Sequence, residues 1–251
     1  MSSKLDSSET ITIADRFRGP PRSGNGGYVG GRFAALLGKS PDEPVEVTLR
    51  SPVLLDEPMT VTRQGPAHMK IMIADQLIAE ITQSNLGVEI PEPPTYEQAL
   101  AVQSTALSLQ RREGSPMPGA RGLHPICFCC GADHEDGLQV FAAAIDQTQV
   151  VAAWPTKVEW GDDERNIPAE YLWTALDCPG QIAYAVAGIR TGLLGRITAA
   201  IHRPAPAGEN YVVTAWPVEV DGKKHFAGSA IFDTDKNLIA SALSIWIGRG
   251  N

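Results

Sequence analysis

Leu49-Arg50-Ser51-Pro52 and Ile201-His202-Arg203-Pro204 are two versions of one short phrase, 152 positions apart. An acidic residue follows each about five residues later, Glu57 in one copy and Glu209 in the other. A β-rich stretch comes next: Met59-Thr60-Val61-Thr62 in the first copy, Tyr211-Val212-Val213-Thr214 in the second. Further on, Leu77-Ile78-Ala79 matches Leu238-Ile239-Ala240. One such match would mean little. Three in the same order imply duplication of a unit of roughly 110–120 residues, an ordinary domain size.

Both halves share a coarse plan, a helix followed by antiparallel strands. In the first, Val29, Phe33, Leu36 and Leu37 fall at i, i+4, i+7 and i+8 of a helix over 26–37, giving it one apolar face. Gly38 is placed to end it. Residues 45–50 alternate strictly, the pattern of a half-buried strand. Strands are also expected at 68–74 and 77–82, with Asp75-Gln76 at the turn. In the second half, Pro168 suits the first turn of a helix lined by Leu172, Ala175 and Leu176, and Pro179-Gly180 must kink or interrupt it. Strands follow at 195–202, 211–220, 224–233 and 238–247. An extended passage (86–95), a linking helix (96–112) and a flexible linker (114–122) join the halves. Units of 1–115, including a polar tail, and 116–251 result.

Hydrophobic residues make up 43% of the 251 and charged residues 20%. That supports one sizeable core or two small ones and argues against disorder, collagen and coiled coil. No apolar run approaches the ~18 residues of a membrane helix, and the first ten residues lack the regions of a secretory signal, so a soluble cytoplasmic protein is expected. The net charge of −8 removes the basic field that nucleic-acid binding draws on. A local basic cluster, Arg16, Arg18 and Arg22, keeps an anion site open. Cys127, Cys129, Cys130 and Cys178 are poorly spaced for a disulfide framework and read as reduced thiols.

Three stretches carry a resemblance: Asn25-Gly26-Gly27 opening the first helix, Cys127-Phe128-Cys129-Cys130-Gly131 before Gly137-Leu138, and Trp173-Thr174-Ala175-Leu176-Asp177-Cys178-Pro179-Gly180. With them, over about residues 16–249, the chain resembles the double hotdog thioesterase-like proteins. The resemblance implies an α+β fold of two hotdog units in one chain, each a curved antiparallel sheet wrapped around a central helix.

Unpaired N–H groups at a helix N-terminus favour negative charge, and glycines there admit a close substrate. In hotdog thioesterases a His-Gly-Gly turn uses such an amide to polarise the thioester carbonyl. Asn25 stands where that histidine would be, and the rival reading of the turn is packing alone. The resemblance also implies a carboxylate on the helix, eight residues after the first glycine. In the first half that position is Ala34. In the second, with Ala169 set opposite Gly26, it is Asp177. One half keeps the glycines and the other the acid, so one composite site is expected, with a dead mirror site where Ala169-Glu170 faces Ala34. Asp177 is also placed to cap a helical segment beyond the Pro179 kink.

His124, Cys127, Cys130 and His134 mimic a zinc set, but they crowd one short loop that resembles a packed turn. No metal is expected, and the cysteines should be reduced and unligated. Cys178 has no histidine fixed near it by spacing and reads as packing. The glycines of 24–31 fail the dinucleotide fingerprint, because Val29 stands where the third is needed. The Asp-x-Asn-x-x-His run of a hotdog hydratase is absent.

These readings converge on an acyl-CoA thioester hydrolase without cofactor. The Gly26 and Gly27 amides would hold the carbonyl oxygen, beside Asn25. Asp177 would activate water or attack directly, and Arg16, Arg18 and Arg22 would meet the CoA phosphates. The acyl tunnel would lie between the halves. No nucleic acid or membrane is an expected partner, and homo-oligomers of double units are compatible with this reading. The alternative is a non-catalytic acyl-thioester-binding hotdog protein, a sensor or scaffold.

Overall fold

The computed structural model describes residues 9–19, 22–110 and 124–248. The expected linker at 114–122 and the boundary at 115/116 lie outside these. The first half runs β1 (Thr10–Ile11), α1 (Gly26–Ala34), β2 (Val45–Leu49), β3 (Met59–Arg63), β4 (His68–Ile73) and β5 (Gln76–Gln83), then α2 (Tyr96–Val102). The second runs β6 (Ala143–Ala144), β7 (Val150–Pro155), α3 (Ala169–Ala175), α4 (Cys178–Val186), β8 (Thr191–Ile201), β9 (Asn210–Asp221), β10 (Lys224–Asp233) and β11 (Leu238–Gly248).

The eleven strands of the described residues form one antiparallel sheet in the order β1-β3-β4-β5-β2-β8-β11-β10-β9-β7-β6. The expectation that each half has a sheet of its own needs correction, because the ladder continues unbroken from β2 to β8. Outward from that junction, β2-β5-β4-β3-β1 on one side matches β8-β11-β10-β9-β7 on the other. At the junction Glu46 faces Thr198, and these two are related by the same offset of 152 as the repeated phrases. A local two-fold therefore passes between them.

The repeated phrases have a physical basis. The Arg50 and Ser51 amides both donate to the Ile78 carbonyl, and the His202 and Arg203 amides both donate to the Ile239 carbonyl. The ladder also shifts register at equivalent places, between Ile71 and Met72 and between Ile231 and Phe232. Each phrase lets the chain leave β2 or β8 while still bonded to the neighbouring strand.

Helix α1 buries Tyr28, Val29 and Phe33, tightens into a 3-10 turn over Ala35–Leu37, and stops at Gly38 with φ 64°. It packs against α3. Small residues set the approach: a methyl at Gly31 would lie 2.6 Å from Glu170 Cα, and one at Gly27 would lie 2.6 Å from Asp177 Cβ. The second helix is interrupted, as Pro179-Gly180 led one to expect, but the break falls earlier, at Leu176-Asp177, and Pro179 sits in the first turn of α4. The linking helix is also shorter than expected, ending at Val102 before two 3-10 turns. Its N-terminus carries a capping box between Thr95 and Gln98, in which each residue satisfies the other's backbone amide. It covers the outer face of β7 and β9. On β7, Val150, Ala152 and Trp154 enter the main core while Val151 and Ala153 pack under α2. No helix among the described residues is long and apolar enough to cross a membrane.

Candidate active site

The site is built where α1 begins and α3 ends. Asn25 is extended, at φ −61° and ψ 131°, and its Oδ1 accepts the Tyr28 N–H at 2.9 Å. That bond satisfies one orphan amide of the first turn and leaves Nδ2 pointing away from the helix. Nδ2 donates to Asp177 Oδ2 at 2.9 Å, and the Gly27 N–H donates to the same oxygen at 3.0 Å. Asn25 and Asp177 are only 1% and 2% exposed. The carboxylate of the second half is thus held by the glycine turn of the first.

Asp177 occupies the N-cap position of α4, but its side chain makes no bond to that helix. It caps α1 instead, from across the interface. This corrects one detail of the sequence reading. The Gly27 amide is committed to Asp177 and is not free for a carbonyl oxygen. The Gly26 N–H takes no acceptor among the described residues, so it is the open donor at the positive end of the helix. Asp177 Oδ1 is buried without a hydrogen-bond partner. Burial pushes this carboxyl up to about 7, against the opposing pull of the Gly27 amide and the Asn25 side chain. A carboxyl poised near neutrality can both take and return a proton.

A cavity of about 400 Å³ opens on this corner, within the usual size for small-molecule pockets. Asn25, Gly26 and Asp177 line it together with apolar side chains of both halves, among them Val29, Val53, Leu194 and Trp246. Cys127 and Cys178 also reach it, their sulfurs 3.7 Å apart.

The basic cluster is not brought to the cavity wall. Arg16 lies exposed over the Phe17 ring, its guanidinium carbon 4.5 Å from the centroid. Arg18 is ion-paired with Asp15, and Arg22 is exposed beside Ser23 and Gly24, which do line the cavity. The arginine of the wall is Arg50, itself paired with Glu80 at 2.6 Å. It belongs to the first repeated phrase, and nothing in its sequence context marks it as a cavity residue. On the mirror side, Glu170 pairs with Arg32 at 3.5 Å and Ala34 is buried. The histidines of the zinc-like set separate: His124 lines the cavity, while His134 Nε2 meets the Arg16 carbonyl oxygen at 2.7 Å.

No family model matches the sequence, and no curated protein matches it significantly. Solved structures do match it. The TesB protein of Mycobacterium avium subsp. paratuberculosis is similar with a TM-score of 0.59 at 13% identity, over 96% of this chain and 92% of that one. A conserved hot dog fold protein from Alicyclobacillus acidocaldarius gives 0.55 at 10% identity, over 98% and 95% of the two chains. A Novosphingobium aromaticivorans protein with a provisional thioesterase assignment gives 0.58 at 11%, over 96% and 95%. At these identities the likeness speaks for the fold. The chain has the hotdog fold and resembles hotdog-fold thioesterases along nearly its whole length.

Proposed function

We propose that this chain is two hotdog units fused in one polypeptide, 1–115 and 116–251, and that it hydrolyses acyl-CoA thioesters at one composite site. The observation that carries the reading is the carboxylate of Asp177 held against the Gly26-Gly27 turn of the other half, on the wall of an apolar cavity. The matching strand order about the Glu46–Thr198 pair supports the fusion. The thioesterase assignments among similar structures support the reaction class.

In this reading the thioester carbonyl oxygen takes the Gly26 N–H, which strengthens as negative charge develops on that oxygen. Gly27 N–H and Asn25 Nδ2 hold Oδ2, leaving Oδ1 as the atom with free lone pairs. Oδ1 removes a proton from water as the water oxygen bonds to the carbonyl carbon. The tetrahedral oxyanion then collapses, the C–S bond breaks, and the CoA sulfur recovers the proton from Asp177. Direct attack by Asp177 would instead form a mixed anhydride that water opens. Val29, Leu194 and Trp246 would face the acyl chain. Arg50 and Arg22 are the cations best placed for CoA phosphates.

The test is a hydrolysis screen over acyl-CoAs from acetyl to palmitoyl, aromatic ones included, followed by thiol release. Asp177→Asn should lower turnover by roughly 10²–10⁴-fold while acyl-CoA affinity stays nearly unchanged. Full activity with a lowered melting temperature would mean that Asp177 only caps α1. The rival reading, binding without turnover, draws on the near-complete burial of Asp177. Tight binding of an acyl-CoA with no hydrolysis by the wild type would establish it.

A further inference from the structure

Three sulfurs meet beside this corner. Cys127 and Cys130 close a tight Cys-x-x-Cys-Gly turn, and Cys178 enters from the first residue of α4. Cys127 and Cys178 sulfurs are 3.7 Å apart, and all three sulfurs lie within 4.8 Å of one another, on buried residues. The turn itself requires Gly131, because a methyl there would lie 2.5 Å from both the nitrogen and the oxygen of Cys127. Its tightness lets the Gly131 N–H bond the Cys127 carbonyl at 2.8 Å. Asn25 Nδ2 adds a donor 3.7 Å from the Cys127 sulfur and 3.8 Å from that of Cys178.

Donors aimed at sulfur favour thiolate over thiol. Neutral thiols packed as small apolar groups need none of these donors. We propose that Cys127, Cys130 and Cys178 bind one zinc ion through their three sulfurs. Tetrahedral zinc with bonds of about 2.3 Å sets its sulfur ligands about 3.8 Å apart. The Cys127–Cys178 pair is already at that spacing, and the widest pair has no more than about 1 Å to close.

Cys127 and Cys178 line the cavity, so the fourth position opens toward it, where His124 and water are the donors at hand. Binding displaces whatever protons the sulfurs still hold. The ion ties the 127–131 turn to the start of α4, one residue from Asp177. The ligand set assembled from sequence included His134 and lacked Cys178. That set carried no expectation of metal; the sulfur cluster includes Cys178, and His134 turns to the Arg16 carbonyl instead. This inference does not depend on the hydrolase reading, because binding is measured without substrate.

The experiment uses the full chain, reduced and stripped with a chelator. It is titrated with Zn²⁺ against a chromophoric competitor and, separately, with Co²⁺. One equivalent should bind, and Co²⁺ should show thiolate-to-metal charge transfer with the visible bands of a tetrahedral site. Cys127→Ser and Cys178→Ser should weaken binding roughly 100-fold or more, while Cys129→Ser retains it. Unchanged affinity in folded Cys178→Ser would overturn the proposal. Should the serine variants fail to fold, the wild-type Co²⁺ spectrum decides alone, and absence of saturable charge transfer refutes the site.

Discussion

Gly27→Ala probes the contact between α1 and α3 on which the composite site depends. A methyl at position 27 would press on the Trp173 carbonyl oxygen and lie 2.6 Å from Asp177 Cβ and 2.9 Å from Thr174 Cα. These atoms are backbone or attached directly to it. Carbon–carbon contacts settle at about 3.5–4.0 Å, so the helices must separate by about 1 Å. Overpacking typically costs roughly 1–3 kcal/mol, and backbone displacement puts this case at the upper end. The same movement breaks the 3.0 Å bond from Gly27 to Asp177, a further loss of about 2 kcal/mol for a hydrogen bond to a carboxylate. The better helix propensity of alanine returns about 1 kcal/mol. The net loss is about 3–4 kcal/mol, which lowers the melting midpoint of a chain this size by roughly 6–16 °C.

Gly26→Ala is the milder comparison, because its methyl would meet Leu194 Cδ2 at 2.6 Å, the far end of a side chain that can turn aside, and Leu194 Cβ at 3.1 Å, which must give by only a few tenths of an ångström. It should cost no more than about 1 kcal/mol. Urea unfolding and calorimetry on both variants check the pair. A Gly27→Ala chain melting within about 2 °C of wild type would refute the close approach and the route by which Asp177 meets the turn.

Asn25→Ala removes the cap on Tyr28 and a donor to Asp177, and should cost about 3 kcal/mol in urea unfolding. A loss under about 1 kcal/mol would show that the carboxylate does not rely on that amide. Ala34→Ser, at the mirror position, should leave turnover within about twofold of wild type; a large drop would mean that the second corner is active. Leu193→Glu sets a charge on an exposed part of the cavity wall, and KM for long-chain acyl-CoAs should rise about tenfold with little change in melting. An unchanged chain-length profile would place the acyl group elsewhere. Partial desolvation holds His202, a residue with much of its surface still exposed, below its ordinary value of 6.5 despite the nearby Asp42. The unfolded chain therefore binds more protons there, and stability falls as pH drops through that value. The urea midpoint of the wild type should decline more steeply from about pH 7.5 to about 5.5 than that of His202→Gln; parallel curves would remove His202 from the account.

Elements with one wet face were readable from sequence. Val45 and Val47 are buried while Glu46 between them is not, so the start of β2 shows its period, which breaks at Thr48, buried in its turn. The repeated phrases were readable because a shared backbone bonding pattern constrains both copies. β7 was not readable, since α2 closes its second face and Val150 to Trp154 becomes an unbroken apolar run. At the site, the pairing of the glycine turn with Asp177 followed from counting residues along two related helices. The commitment of the Gly27 amide did not, because it depends on how closely α1 and α3 approach, which no spacing encodes. The same holds for Cys178, whose neighbours in space are 48 and 51 positions back along the chain. Of the basic cluster, Arg18 turns to Asp15, a partner that charge density along the sequence does not reveal.

The junction of β2 with β8 also governs what happens when the chain is cut. Among the described residues the sheet ends in β1 and β6, strands of only two residues each, and such short margins offer little to a stray strand. A fragment carrying only one half would instead bare β2, with five residues, or β8, with eleven, as a raw edge with unpaired amides and carbonyls. Because a two-fold runs through that edge, the surface best suited to cover it is the same edge on a second copy. Expressed alone, either half should self-associate edge to edge or aggregate, and a stable monomeric half would require that edge to be redesigned with charge or proline.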